Sequence, residues 1–141
     1  MTATPVILVV EDNEVNQLLT ASVLDREGFE VEVAGTPQQA MELLAAHQPD
    51  LILMDIQLPG MDGLALTRRI KADPATADIT IVALTAHAMT GDREQTLDAG
   101  CAGYISKPID TRTFGNQVRE FLAGTVPASR PARTDATLSG K

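Results

Sequence analysis

Five apolar runs, separated by stretches of helical period, set the rhythm of the chain. Val6 to Val10 (VILVV) and Leu51 to Met54, closing on Asp55, are apolar at successive positions. A run of strand length with no polar face predicts a strand buried on both sides, as in the middle of a parallel sheet. Phe29 to Ala34 instead alternates, with Phe29, Val31 and Val33 set against Glu30 and Glu32. That pattern predicts a half-exposed strand at a sheet edge. Ile79 to Thr85 is a β-branched run, and Gly103 to Ser106 predicts a short last strand.

Between the runs the period lengthens. From 13 to 27, Val15, Leu18, Leu19, Ser22, Val23 and Arg26 recur at threes and fours, and the apolar members are expected to face the sheet, with Gly28 as the stop. Thr36-Pro37-Gln38-Gln39 is a capping box with proline in the first turn, opening a helix that carries Ala40, Met41, Leu43 and Leu44. Further helices are expected over Gly63 to Ala72, over 91 to 99 with Gly100 as the stop, and over Asp110 to Leu122. Strand and helix alternate five times. The expected architecture is therefore α/β, a doubly wound five-stranded parallel sheet with five helices and right-handed crossovers. Residues 1–122 form the expected domain. Residues 123–141 are rich in Ala, Gly, Pro, Ser and Thr with almost no large apolar residue, and are expected to be a disordered tail.

Composition narrows the function. The formal charge is -8. The tail carries three basic residues against one acid, so the expected domain is near -10. That balance disfavours nucleic acid and anionic membranes, and suits a basic partner or a site holding cations. No apolar run has the length of a membrane span. The one cysteine, Cys101, has no partner for an internal disulfide, so a reducing cytoplasmic setting is expected. Phe29, Tyr104, Phe114 and Phe121 are the only aromatic residues, too few for a base- or flavin-stacking platform.

The ends of the strands carry the chemistry. Parallel strands bring their carboxyl ends to one edge, where open α/β sheets bind ligands. Glu11 and Asp12, Asp55, Thr85 and Lys107 would gather there. Two carboxylates about 4 Å apart repel by roughly 4 kcal/mol at an effective dielectric near 20. A proton or a cation must resolve that conflict. An oxygen-only ligand set with few protein ligands suits Mg²⁺, and a Mg²⁺ beside a carboxylate, a hydroxyl and an ammonium suits a phosphoryl group. Asp55 can then be the attacking oxygen, Thr85 a hydrogen-bond donor, and Lys107 a counter-charge. Read singly, Asp55 could be a helix cap, Thr85 a strand end and Lys107 a solvated charge. Their convergence with Glu11 and Asp12 is what favours a site.

These motifs are Glu11-Asp12, Met54-Asp55 followed by Leu58-Pro59-Gly60-Met61-Asp62-Gly63, Thr85-Ala86, and Lys107-Pro108. Together they resemble the receiver domains of two-component response regulators, over about Val6 to Leu122. The likeness extends to Glu11-Asp12-Asn13-Glu14 and to Tyr104-Ile105-Ser106-Lys107-Pro108-Ile109, as in single-domain cell-cycle regulators and hybrid-kinase receivers. The resemblance implies strand order 2-1-3-4-5 and a cis Lys107–Pro108 bond. It implies Asp55 as phosphoacceptor, and Glu11, Asp12, Asp55 and the backbone carbonyl of Gln57 as Mg²⁺ ligands. Thr85 and Tyr104 would form a switch pair. Gln57 and His87, two residues past Asp55 and Thr85, are expected either to be plain exposed loop residues or to tune water attack. The implied donor is a histidine kinase or histidine phosphotransferase. The implied output is protein binding by the face of the fourth helix, fifth strand and fifth helix. Such a chain catalyses its own phosphorylation and dephosphorylation and turns over no external metabolite.

Two other classes compete. One is an interaction module that is never phosphorylated. The other is an Asp-nucleophile phosphohydrolase, which usually carries a second Asp two residues after the nucleophile; here that position is Gln57.

Overall fold

The computed structural model describes residues 4–56, 63–85 and 92–123. Five strands, β1 (Val6–Val10), β2 (Glu30–Ala34), β3 (Leu51–Asp55), β4 (Thr80–Thr85) and β5 (Gly103–Ser106), alternate with five helices. These are α1 (Glu14–Arg26), α2 (Pro37–Ala46), α3 (Gly63–Ala72), α4 (Asp92–Ala99) and α5 (Phe114–Ala123). The strands form one sheet in the order β2-β1-β3-β4-β5, and every neighbouring pair is parallel.

The two continuous apolar runs lie where their patterns place them. β1 is flanked by β2 and β3, and β3 by β1 and β4. All five residues of β3 are buried. Successive side chains leave a strand on opposite faces, so each central strand feeds two apolar layers. Leu8, Ile52, Met54 and Ile81 pack in one layer with Leu44 of α2 and Leu66 and Ile70 of α3. Ile7, Val9, Leu51 and Leu53 pack in the other with Val23 and Leu24 of α1 and Phe114 and Val118 of α5. β2 is a sheet edge, and its glutamates are one exposed and one half-buried, Glu32 accepting a 2.7 Å contact from His47 at the end of α2.

Local signals explain four of the helix ends. Asn13 caps α1 by accepting from the Asn16 amide, and Thr36 caps α2 by accepting from the Gln39 amide. Gly28 and Gly100 follow α1 and α4 at φ +96 and +112, a backbone region that other residues seldom enter.

Two expectations need correction. On α1, Val15 and Leu18 are more than two-thirds exposed and Leu19 is 41% exposed. Thr20, Val23 and Leu24 are the residues this helix buries. The inward stripe is thus rotated from the one the apolar residues draw, and only Val23 belongs to both. The last helix begins at Phe114, not Asp110. The Asp110 carboxylate accepts from the Arg112 amide, and its carbonyl accepts from the Thr113 and Phe114 amides, so a turn precedes the helix. α5 reaches Ala123, one residue past the expected domain boundary, and the expected tail from 124 lies outside the described residues. Among the described residues, no helix is long and apolar enough to cross a membrane.

Candidate functional site

Strand parity decides which side chains meet at the carboxyl edge of the sheet. Asp55 continues the row of Leu51 and Leu53, Glu11 that of Ile7 and Val9, and Lys107 that of Ile105. All three rows face the α1/α5 layer, so an acid from β1, an acid from β3 and an ammonium from β5 arrive on one side. The Lys107 Nζ lies 3.1 Å from Asp55 Oδ1 and 3.4 Å from Glu11 Oε1. Asp55 and Glu11 are 3% and 1% exposed. Asp12, the next residue along, is exposed, and Glu11, Asp12 and Asp55 each offer a carboxylate oxygen within 4.8 Å of the others.

The electrostatics of this cluster are strained on one member. Burial pushes the Glu11 carboxyl up from its ordinary range, and the Asp55 charge adds to the rise. The Asn13 amide, which donates to Glu11 Oε2 at 3.1 Å, and the Lys107 ammonium pull it back. Glu11 Oε1 is buried without a hydrogen bond. Among the described residues the Lys107 ammonium stands against two buried carboxylates and the exposed Asp12, and crowding like charges at a buried site is costly.

That pattern fits a hard divalent cation. The donors are all carboxylate oxygens, one of them, Glu11 Oε1, buried and met by the Lys107 ammonium at 3.4 Å without a hydrogen bond, and Asp12 keeps the cluster open to solvent. Gln57, whose carbonyl was expected to complete the set, and His87 both lie outside the described residues.

Thr85 ends β4 and is buried. Ala83 pairs with Tyr104 across β4 and β5, so Thr85, two residues on, faces the same side as Tyr104. The Tyr104 ring is half-buried against the α2/α3 layer. The Lys107–Pro108 bond is cis, as expected.

Gly63 carries a role that its place in the motif does not reveal. Its amide donates to the Ile56 carbonyl at 2.8 Å, and a Cβ there would collide with the Asp55 carbonyl. The start of α3 therefore sits flush against the strand end that bears Asp55. Only the fold shows this close approach.

Comparison with known proteins now decides the family. The model of the response regulator receiver domain matches residues 7–119. The chain belongs to that family. The polar-differentiation response regulator DivK of Brucella ovis is 40% identical over 116 residues, covering 82% of this chain and 94% of DivK. The receiver domain of sensor histidine kinase PA1611 from Pseudomonas aeruginosa is 36% identical with a TM-score of 0.78, covering 86% of this chain and 99% of that one. That structure has a magnesium ion coordinated in its active site cleft. A response regulator structure from Chloroflexus aurantiacus is 28% identical with a TM-score of 0.81, covering 86% of this chain and 99% of that one. This chain is thus a DivK-like receiver domain of phosphorylation-based signalling, and receiver domains generally accept phosphoryl groups from histidine kinases.

Proposed function

We propose that this chain is a response regulator in which Asp55 accepts a phosphoryl group from the phosphohistidine of a histidine kinase or histidine phosphotransferase. The observation that carries the reading is the buried Asp55 carboxylate, 3.1 Å from the Lys107 ammonium and grouped with Glu11 and Asp12 at the sheet's carboxyl edge. The magnesium in the related PA1611 receiver supports the same cation here.

Glu11, Asp12, Asp55 and the Gln57 carbonyl would hold Mg²⁺. When bound, the cation supplies positive charge for the phosphoryl oxygens and for the crowded carboxylates. An Asp55 carboxylate oxygen attacks phosphorus, the phosphorus–nitrogen bond to the donor imidazole breaks, and the nitrogen leaves with the bonding pair. Lys107 keeps Asp55 oriented and offers its ammonium to the transferred group. Thr85 donates its hydroxyl to a phosphoryl oxygen. Asp55 is buried at the end of β3 and held by the sheet, so little reorganisation of the attacking group accompanies the transfer. Gln57 and His87 tune the later attack of water, and the chain has no other turnover.

Phosphorylation adds charge and acceptor oxygens at the edge of the sheet. Thr85 moves toward them, the half-buried Tyr104 turns into the space it leaves, and the α4-β5-α5 face changes shape for a protein partner. The partner favours one state only by its difference in affinity for the two. Intact mass after incubation with acetyl phosphate tests this reading. A Mg²⁺-dependent phosphoryl adduct on the native chain, absent in Asp55→Ala, is expected. The reading fails if neither acetyl phosphate nor beryllofluoride engages the native chain.

A further inference from the structure

Glu11 and Asp12 sit on the connection between β1 and α1, so their aim depends on what holds that connection. The Glu11 amide donates to the Ala34 carbonyl at 3.0 Å, tying the connection to the end of β2. The Glu11 carbonyl accepts from the side-chain Nε2 of Gln17, on α1, at 2.5 Å. A second glutamine closes the arrangement from the other face of the sheet. Gln39 of α2 accepts the Gly35 amide on its Oε1 at 2.7 Å. A Cβ at Gly35 would stand 3.2 Å from Gln17 Nε2 and 3.4 Å from Gln39 Oε1, so the ends of both side chains lie close against the backbone there.

We propose that Gln17 is a positioning residue for the acidic pair: by clamping the Glu11 carbonyl it fixes how Glu11 and Asp12 point toward Asp55. The inference rests on the Mg²⁺-dependent reading above. The peptide unit is planar, and the chain turns only about φ and ψ. A carbonyl fixed at Glu11 therefore fixes the plane leading into Asp12 and the direction in which the Asp12 side chain leaves. The Ala34 bond holds one side of Glu11 and Gln17 the other. Without Gln17 the Glu11 carbonyl loses this tie, and the peptide leading into Asp12 is held only through its neighbours, the Glu11 amide on Ala34 and the Asn13 amide on Glu11 Oε2, while the Asn13 cap of α1 remains. Gln17 is half-buried on the flank of α1 that faces the sheet, so an amide there without a partner would be costly.

Gln17→Met keeps length and neutrality and removes the N–H donor. Mg²⁺ titration of the full chain by calorimetry, with amide hydrogen exchange and urea denaturation, tests the role. Groups that orient metal ligands typically alter metal affinity by about ten- to a hundredfold, and Gln17 acts one step further back, so a loss of about three- to tenfold is expected. Exchange should quicken at the Glu11 and Asn13 amides while the urea midpoint stays close to native. A folded Gln17→Met chain that binds Mg²⁺ like the native one overturns the proposal. If Gln17→Met lowers the urea midpoint, the Mg²⁺ titration is repeated at a lower temperature, where circular dichroism shows the variant fully folded: weakened binding there supports the role, and native affinity overturns it. A native chain that does not bind Mg²⁺ at all removes the underlying reading, an outcome distinct from native binding that the variant shares.

Discussion

β3 and α1 are both rich in large apolar residues and both adjoin the acidic cluster, yet they meet opposite media. Every residue of β3 is buried, including the carboxylate at its tip. α1 turns Val15, Leu18 and Leu19 to solvent and buries Thr20, Val23 and Leu24 instead. In β3 an apolar residue at each position leaves no second way to place the strand, because both faces need cover. A helix has a continuous range of rotations about its axis, and α1 has apolar residues on more than one side. Its orientation is set by specific contacts: Gln17 to the Glu11 carbonyl, Arg26 to the Thr111 carbonyl at 2.7 Å, and Glu27 to Arg119 at 2.7 Å.

Substitutions can break that contrast, and the largest effect is expected in β3. Leu53→Ala removes a fully buried side chain from the α1/α5 layer and should cost about 2–5 kcal/mol in urea denaturation. A loss under 1 kcal/mol would mean that the layer is looser than the burial implies.

A second test uses the opposite layer. Cys101 is buried there, and burial raises its thiol to about 11. The thiolate is the reactive form, so at pH 8 alkylation of the native chain should be about a hundredfold slower than in urea. Equal rates would show that the α2/α3 layer opens readily.

A smaller effect is expected where the apolar layers give way to the acids. The Glu11 carboxyl is raised in the folded chain, mainly by burial and then by Asp55. A folded value above the unfolded one gives a contribution that is complete below the unfolded value and lost as pH rises through the folded value. Without Mg²⁺, Glu11→Gln should therefore raise the urea midpoint at neutral pH, and the difference from the native chain should shrink as the solution is acidified. A difference independent of pH would contradict this origin. Smallest of all, Leu18→Ala should change stability by less than about 0.5 kcal/mol. A change near that of Leu53→Ala would mean that α1 sits differently in solution.

The same contrast explains what could be read in the residues alone. β1 and β3 were legible because a strand apolar at successive positions has one kind of home, and the order of the sheet then brings Glu11, Asp55 and Lys107 to one edge. The α1 stripe was not, because a threonine and a glutamine on its sheet-facing side carry no apolar signal. Asp110 read as a helix start because its side chain serves a turn that resembles a cap. Gln17 belongs to no motif. Its role depends on the Glu11 carbonyl and on Gly35 at the end of β2, a neighbour that only the folded chain supplies.

The central claim is that Asp55, and no other acid of the cluster, receives the phosphoryl group. Borohydride reduction after treatment with acetyl phosphate and Mg²⁺ converts an aspartyl phosphate to homoserine, and peptide mass spectrometry then locates it. The account predicts homoserine at position 55 alone, and none when Mg²⁺ is withheld. Reduction at Glu11 or Asp12 with position 55 unchanged would contradict it.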